Sequence, residues 1–151
     1  MGKDDPLRNV QPDAYRWVMA DPVMPARFDH ETLDVYRLEL EFIAWLTDLL
    51  AEIKVNPGPP IADITNQVDR SSLSSLLNTA EGNSKRQQRV RARFFDDARG
   101  SAAESAACLD AMVAKRLCTA GRITEGKSML LRIVQMLSKL VDRFDPSISR
   151  L

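Results

Sequence analysis

Histidine occurs once in this chain, at His30, and cysteine twice, at Cys108 and Cys118. With one histidine, neither a His-based acid–base pair nor a two-histidine metal site can form within a single chain. The two cysteines fall in one predicted helix, where a rise of about 1.5 Å per residue separates them too far to be bridged. That pattern fits a reducing cytoplasm. No apolar run approaches the roughly 20 residues needed to cross a bilayer, and Met1–Pro12 is polar instead of carrying a signal peptide's apolar centre. The expectation is a protein that is neither membrane-bound nor exported. A glycine-rich phosphate loop is missing as well, since Gly82 and Gly100 lack the spacing and the flanking lysine. Asp96 and Asp97 are adjacent on a helix and point in different directions, which does not suit shared acid–base work. Cys108, Met129 and Met136 fall on apolar positions and read as core. The chain therefore reads as non-enzymatic, with no catalytic residue, metal ligand or cofactor expected. An excess of charge is also lacking: 21 basic and 21 acidic side chains cancel. No global field would drive the protein onto nucleic acid or an anionic membrane, so binding of that kind must come from a local patch.

What is present is helical. The 151 residues suit one domain with a single core. Residues 1–27 hold Pro6, Pro12, Pro22 and Pro25 and read as an arm, with Asp13 capping a short helix at 13–20. Tyr15, Trp17 and Val18 would dock this arm on the domain or a neighbour, the alternative being a loosely held tail. From Asp29 the apolar residues Leu33, Tyr36, Leu40, Ile43, Leu46, Leu50 and Ile53 recur at three- and four-residue steps. Asn56-Pro57-Gly58-Pro59-Pro60 ends that helix. The second helix starts near Ile61, has Ile64, Val68, Leu73, Leu76, Leu77 and Ala80 as its expected apolar side, and stops at Gly82 as a C-terminal glycine. A third runs from about Arg86 toward Ala120-Gly121 along a mostly small stripe of Phe94, Ala98, Ser101, Ser105, Cys108 and Met112. Ser71, Ser72, Ser74 and Ser75 would pack directly on that stripe, and a close contact there would offset the cost of Gly100 inside a helix. The fourth helix spans Ile123–Phe144 and ends at Asp145-Pro146. Nothing alternates like a strand, and short connections imply up-down-up-down packing. The fold expected is all-α, an antiparallel four-helix bundle over 28–145 with a tail at 146–151.

Charge is unevenly placed along this neutral chain. Lys85, Arg86, Arg89, Arg91 and Arg93 form a basic run, offset locally by Asp96 and Asp97. Asp29, Glu31, Asp34, Glu39, Glu41, Asp48 and Glu52 make the first helix acidic against Arg37. Such asymmetry can hold subunits together, collect phosphates, or simply be a solvated face. If the second and third helices form a hairpin centred near Ser84, Arg99 comes level with Arg70, and Asp96 and Asp97 with Ser72 and Leu73. The expectation is an ion-pair network stitching the hairpin or its neighbours, the alternative being a basic surface for a ligand. Asn78 and Glu81 sit in the last turn of the second helix, where a carboxylate opposes the helix dipole. Glu81 therefore needs a donor such as Lys85 or Arg86, and Asn78 through Gly82 reads as a turn-fixing device.

Two blocks of residues carry a family resemblance. Gln67, Arg70, Ser74, Asn78, Ala80, Glu81 and Gly82 form the first; Phe94, Ala98, Arg99, Gly100, Ser101 and Glu104 form the second. With these blocks in register, and with Phe28 and Leu33-Asp34-Val35-Tyr36 before them, the chain resembles the small bacterial four-helix-bundle proteins encoded in intervening sequences of 23S rRNA genes. It departs from the family's pattern at Ser75, Leu76 and Thr79, where isoleucine, proline and isoleucine are usual, and the arm before Phe28 is unmatched. The resemblance implies a ring-shaped homo-oligomer, typically a pentamer, with a link to ribosomal RNA. A distant relative of the same architecture, an accessory to the reverse transcriptase of diversity-generating retroelements, binds nucleic acid.

The function expected is a non-enzymatic homo-oligomeric bundle that binds structured RNA or a nucleoprotein through Lys85, Arg86, Arg89, Arg91 and Arg93. Gln67, Arg70, Ser74, Asn78, Glu81, Gly82, Asp97, Arg99, Gly100, Ser101 and Glu104 are expected to be structural or to contact a neighbouring subunit. The alternative is a protein-interaction scaffold or accessory subunit that engages a partner through the arm or the acidic first helix.

Overall fold

The computed structural model describes residues 28–55 and 62–148. The arm with its short helix at 13–20, the proline-rich turn after Val55 and the last three residues lie outside the described residues. A 3-10 turn at Asp29–Thr32 leads into α1 (Asp34–Val55), followed by α2 (Ala62–Ser84), α3 (Gln88–Ala114) and α4 (Ala120–Phe144). Among the described residues there is no strand, so the chain is all-α, and the packing of its four helices is that of a bundle. The first helix starts later than its periodicity predicts. Glu31 accepts from the Phe28 N–H at 3.1 Å and closes a separate turn, and Leu33 is extended before α1 begins.

The core is built by α1, α3 and α4. Leu38, Phe42, Leu46, Leu49 and Ile53 of α1 meet Phe95, Ala102, Leu109 and Met112 of α3 and Leu130, Ile133, Leu137 and Val141 of α4. Tyr36, Leu40 and Ile43, expected on the buried stripe of α1, are only half-buried, because Val35, Leu38 and Phe42 turn inward in their place. Trp45 lies flat on α4 at Gly126, where a Cβ would fall inside the indole ring. The Arg122 guanidinium sits 5.3 Å from the centre of that ring and donates to both Glu52 oxygens at 2.8 and 2.7 Å, joining α4 to α1.

The inward face of α2 is the largest departure from expectation. Val68 and Leu76 are buried there, and so are Thr65, Ser71, Ser72, Ser75 and Thr79. Leu73 and Leu77, expected on the core side, remain 49% and 56% exposed. Hydroxyls can occupy this face because each finds a local acceptor or a partner across the helix pair. Ser71 donates to the Val68 carbonyl and Ser72 to the Asp69 carbonyl. The Ser75 hydroxyl lies between two acceptors, the Ala98 carbonyl of α3 at 3.1 Å and a carboxylate oxygen of Glu39 at 2.6 Å, and shares its one proton between them.

Glu39 also departs from the reading of α1 as an acidic surface: it is 2% exposed. Its Oε1 accepts from Ser75 at 2.6 Å and from Thr79 at 2.9 Å, while its buried Oε2 has no partner among the described residues. Burial dominates the two hydroxyl bonds and pushes the carboxyl up from 4.5 to about 7. The folded state therefore holds a proton that the unfolded chain releases between those two values, and stability falls as pH rises through that window. A shift of this size corresponds to about 3 kcal/mol.

At the end of α3, Arg116 adopts φ 61°. The Arg116 N–H donates to the Val113 carbonyl and the Leu117 N–H to the Met112 carbonyl, the bonding pattern of a left-handed helix stop. Thr119 then caps α4 by accepting from the Arg122 N–H at 3.2 Å.

Two outcomes follow from these features. Glu39→Gln should remove the pH-dependent loss: urea unfolding should show it up to about 3 kcal/mol more stable than wild type at pH 8 and much closer to it at pH 4.5. A constant difference across that range would refute the buried neutral carboxyl. Arg116→Gly should gain about 0.5–1 kcal/mol in the same assay by relieving the left-handed strain, and a loss of stability would count against that assignment.

Candidate functional site: the α2–α3 hairpin

Helices α2 and α3 meet through paired hydroxyls. Ser71 and Ser105 share a hydrogen bond of 2.7 Å, and Ser74 and Ser101 one of 3.0 Å. These pairs centre the hairpin near Gln88, about four residues beyond the Ser84 expected. The shift separates Arg99 from Arg70. Arg99 pairs instead with Asp96 on its own helix, while Arg70 has no ion-pair partner among the described residues. The expected cross-hairpin ion-pair network is thus replaced by hydroxyl pairs and by Gln67, whose Nε2 donates to Glu104 Oε1. Asp97 is exposed, and its carbonyl accepts from Ser101 at 3.0 Å.

The segment Asn78-Thr79-Ala80-Glu81-Gly82 does several local jobs. Asn78 Nδ2 donates to the Ser74 carbonyl at 2.9 Å and to its hydroxyl at 3.2 Å, bracing the helix rather than the turn. Glu81 finds its expected cation in Lys85 at 2.8 Å. Gly82 is not a C-terminal glycine: α2 continues to Ser84, and no glycine has positive φ among the described residues. Its role is close approach, because a Cβ there would lie 2.9 Å from Phe94 Cβ and 3.3 Å from the Arg91 carbonyl.

Gly100 differs from Gly82. It faces outward on α3, and a Cβ at this position would meet nothing within 4 Å. The expected contact with α2 is not there, so its cost of roughly 1 kcal/mol against alanine has no offset among the described residues. Glu104, four residues after Gly100 and so on the same side of α3, lines an open groove of about 520 Å³ with Gln67, Arg70, Leu73, Ser74, Leu77 and Asn78 of α2. Each leucine would contribute on the order of 1.5–3 kcal/mol if fully buried.

The structure divides the basic run. Lys85 is held by Glu81 and lies 4.8 Å over the Phe94 ring. Arg91 donates to the Asn83 carbonyl at 3.0 Å and stacks 4.9 Å from the Phe144 ring. Both act in packing. Arg89 reaches Asp145 at 3.3 Å but stays 83% exposed. The Ser147 hydroxyl and N–H, and then Arg89, hold the Asp145 carboxyl below the usual range. Arg86 and Arg93 are exposed and have no ion-pair partner among the described residues. Arg89 and Arg93 are four apart on one face of α3, and Arg86 lies in the turn that precedes that helix.

The residues considered for chemistry are occupied elsewhere. His30 stacks on Phe28 at 5.5 Å and meets the Tyr36 ring edge-on at 4.7 Å. Burial pushes the Cys108 and Cys118 thiols up, away from the nucleophilic form. Among the described residues no group of three His, Cys, Asp or Glu side chains is placed to hold a metal, and no helix is long and apolar enough to cross a membrane.

The serine run of α2 packs on α3 as the sequence reading expected; what that reading missed is that the hydroxyls continue over the buried face and turn Leu73 and Leu77 outward. The signal was the recurrence of Thr65, Val68, Ser72, Ser75, Thr79 and Gly82 at three- and four-residue steps. A search among curated proteins found no match. A family model described as "23S rRNA-intervening sequence protein" matches residues 31–139, from the 3-10 turn through most of α4 and across the whole hairpin. With both motif blocks inside a match that spans well over half its length, the chain belongs to the 23S rRNA-intervening sequence protein family.

Proposed function

We propose that this chain is a non-enzymatic, cytoplasmic, up-down-up-down bundle protein that assembles as a ring of copies, a pentamer, and binds structured RNA through the turn end of the α2–α3 hairpin. One observation carries the reading: Arg86 in the turn and Arg89 and Arg93 on the first turns of α3 are all exposed, and two of the three have no acid to neutralise them among the described residues. A guanidinium in that state gives up no strong ion pair when a phosphate arrives, and its planar fork suits phosphate oxygens. The family's description as 23S rRNA-intervening sequence protein supports the same ligand class. Contacts of this kind fix the position of an RNA without reading its sequence. Because Lys85 and Arg91 are engaged in packing, the binding edge is narrower than the basic run.

The test is purification at low salt with mass measured in solution and any bound nucleic acid sequenced. Binding to the recovered RNA, or to a structured rRNA fragment, should weaken as salt rises. Replacing Arg86, Arg89 and Arg93 by alanine should lower the slope of log affinity against log salt by about 2 for each subunit in contact. Salt-independent binding, or an unchanged slope in the triple variant, would reject the basic edge. Clean, RNA-free protein that retains a protein partner until residues 1–27 are deleted would favour the scaffold reading.

A further inference from the structure

The outward face of the hairpin holds three features that nothing among the described residues accounts for. Leu73 and Leu77 stand exposed, Gly100 has open space where a Cβ would be, and Arg70 has no acid partner among the described residues although Glu104 lines the same groove. We infer that a second copy of the chain docks on this face, with α2 of one copy along α3 of its neighbour and Leu73 and Leu77 seated over Gly100. This rests on the assembly proposed above and names the surface that would make it.

The argument is one of matching heights. The Ser71–Ser105 and Ser74–Ser101 pairs set the level of each α2 residue against α3. On that scale Leu73 stands level with Ala102 and Leu77 with Ala98, so Gly100 falls between the two leucines. Arg70 stands between Ser105 and Ala106 on that scale, within about two residues of Glu104. A rotation axis parallel to the helices leaves every height unchanged. Any assembly about such an axis that brings α2 against α3 therefore sets the leucine pair of one copy across Gly100 of the next. It also sets Arg70 against Glu104 of the neighbour, which spends one oxygen on Gln67. Ridge and trough, and cation and anion, thus occur at common heights on one face. A copy of the same chain supplies that self-match through symmetry.

Gly100→Leu tests this without attacking the fold, because the added side chain enters open space and removes a helix-weakening glycine. Mass in solution and far-UV circular dichroism would be measured for wild type, Gly100→Leu, Arg70→Glu, Glu104→Arg and the double charge reversal. The expected result is an assembled wild type, with Gly100→Leu fully helical but dissociating at least 10-fold more readily. Each single charge reversal should weaken assembly, and the double reversal should recover part of the loss. An assembled wild type whose mass is unmoved by Gly100→Leu and by the single reversals would overturn this interface while leaving the assembly itself standing. A monomeric wild type would overturn both. Unchanged mass with loss of RNA retention in Gly100→Leu would assign the face to nucleic acid and also overturn the inference.

Discussion

The close approach of α2 and α3 through small hydroxyl side chains is the constraint on which the rest of the hairpin depends. Serine and glycine keep the two backbones near each other, and Gly82 tolerates no Cβ against Phe94. A hydroxyl in that space must be bonded, since an orphaned one would cost roughly 1–3 kcal/mol. The Ser71–Ser105 and Ser74–Ser101 pairs meet this requirement across the hairpin, and Ser75 meets it on the Ala98 carbonyl. These bonds also fix the register, because a shift by one residue would break them together. Once the inward face of α2 is committed to hydroxyls, Leu73 and Leu77 have no place but the outside.

The same commitment explains how a carboxyl came to be buried on α1. Glu39 faces the polar side of α2, where Ser75 and Thr79 both donate to it. Both hydroxyls belong to the buried face of α2, so that polar face and the buried acid on α1 form a single contact. The arrangement is incomplete, because Glu39 Oε2 has no partner among the described residues, and the carboxyl responds by holding its proton toward neutral pH.

Where the apolar period was long and uninterrupted, the sequence was readable. The α4 stripe of Ile123, Leu130, Ile133, Leu137 and Val141 is buried as its spacing predicts, and Ala98, Ser105, Cys108 and Met112 lie inward on α3. On α2 the serines were legible as contacts to α3, because a small stripe faced them there. Leu73 and Leu77 misled because residue type was taken as the guide to the core, although they fall between the hydroxyl positions and so point outward. The basic run was opaque for a similar reason. Lys85 and Arg91 became packing residues through Phe94 and Phe144, and Arg89 was partly engaged through Asp145. The last two of these neighbours come from the far end of the chain.

The motif that identifies the family therefore has two parts. Ser74, Asn78, Glu81, Gly82, Ser101 and the Gln67–Glu104 pair are tied up within the chain. Arg70 and Gly100 have no such partner among the described residues, and they lie on the outer side of the hairpin with the exposed leucines. Arg86, Arg89 and Arg93 lie toward the turn, so the proposed assembly and the proposed RNA binding need not compete for one surface. The two are nonetheless coupled by geometry. Copies related by an axis parallel to the helices present every α2–α3 turn at the same end, and edges too small to hold an RNA singly would then act together through raised local concentration. On this arrangement, loss of the Gly100 contact would weaken RNA binding without touching a single arginine.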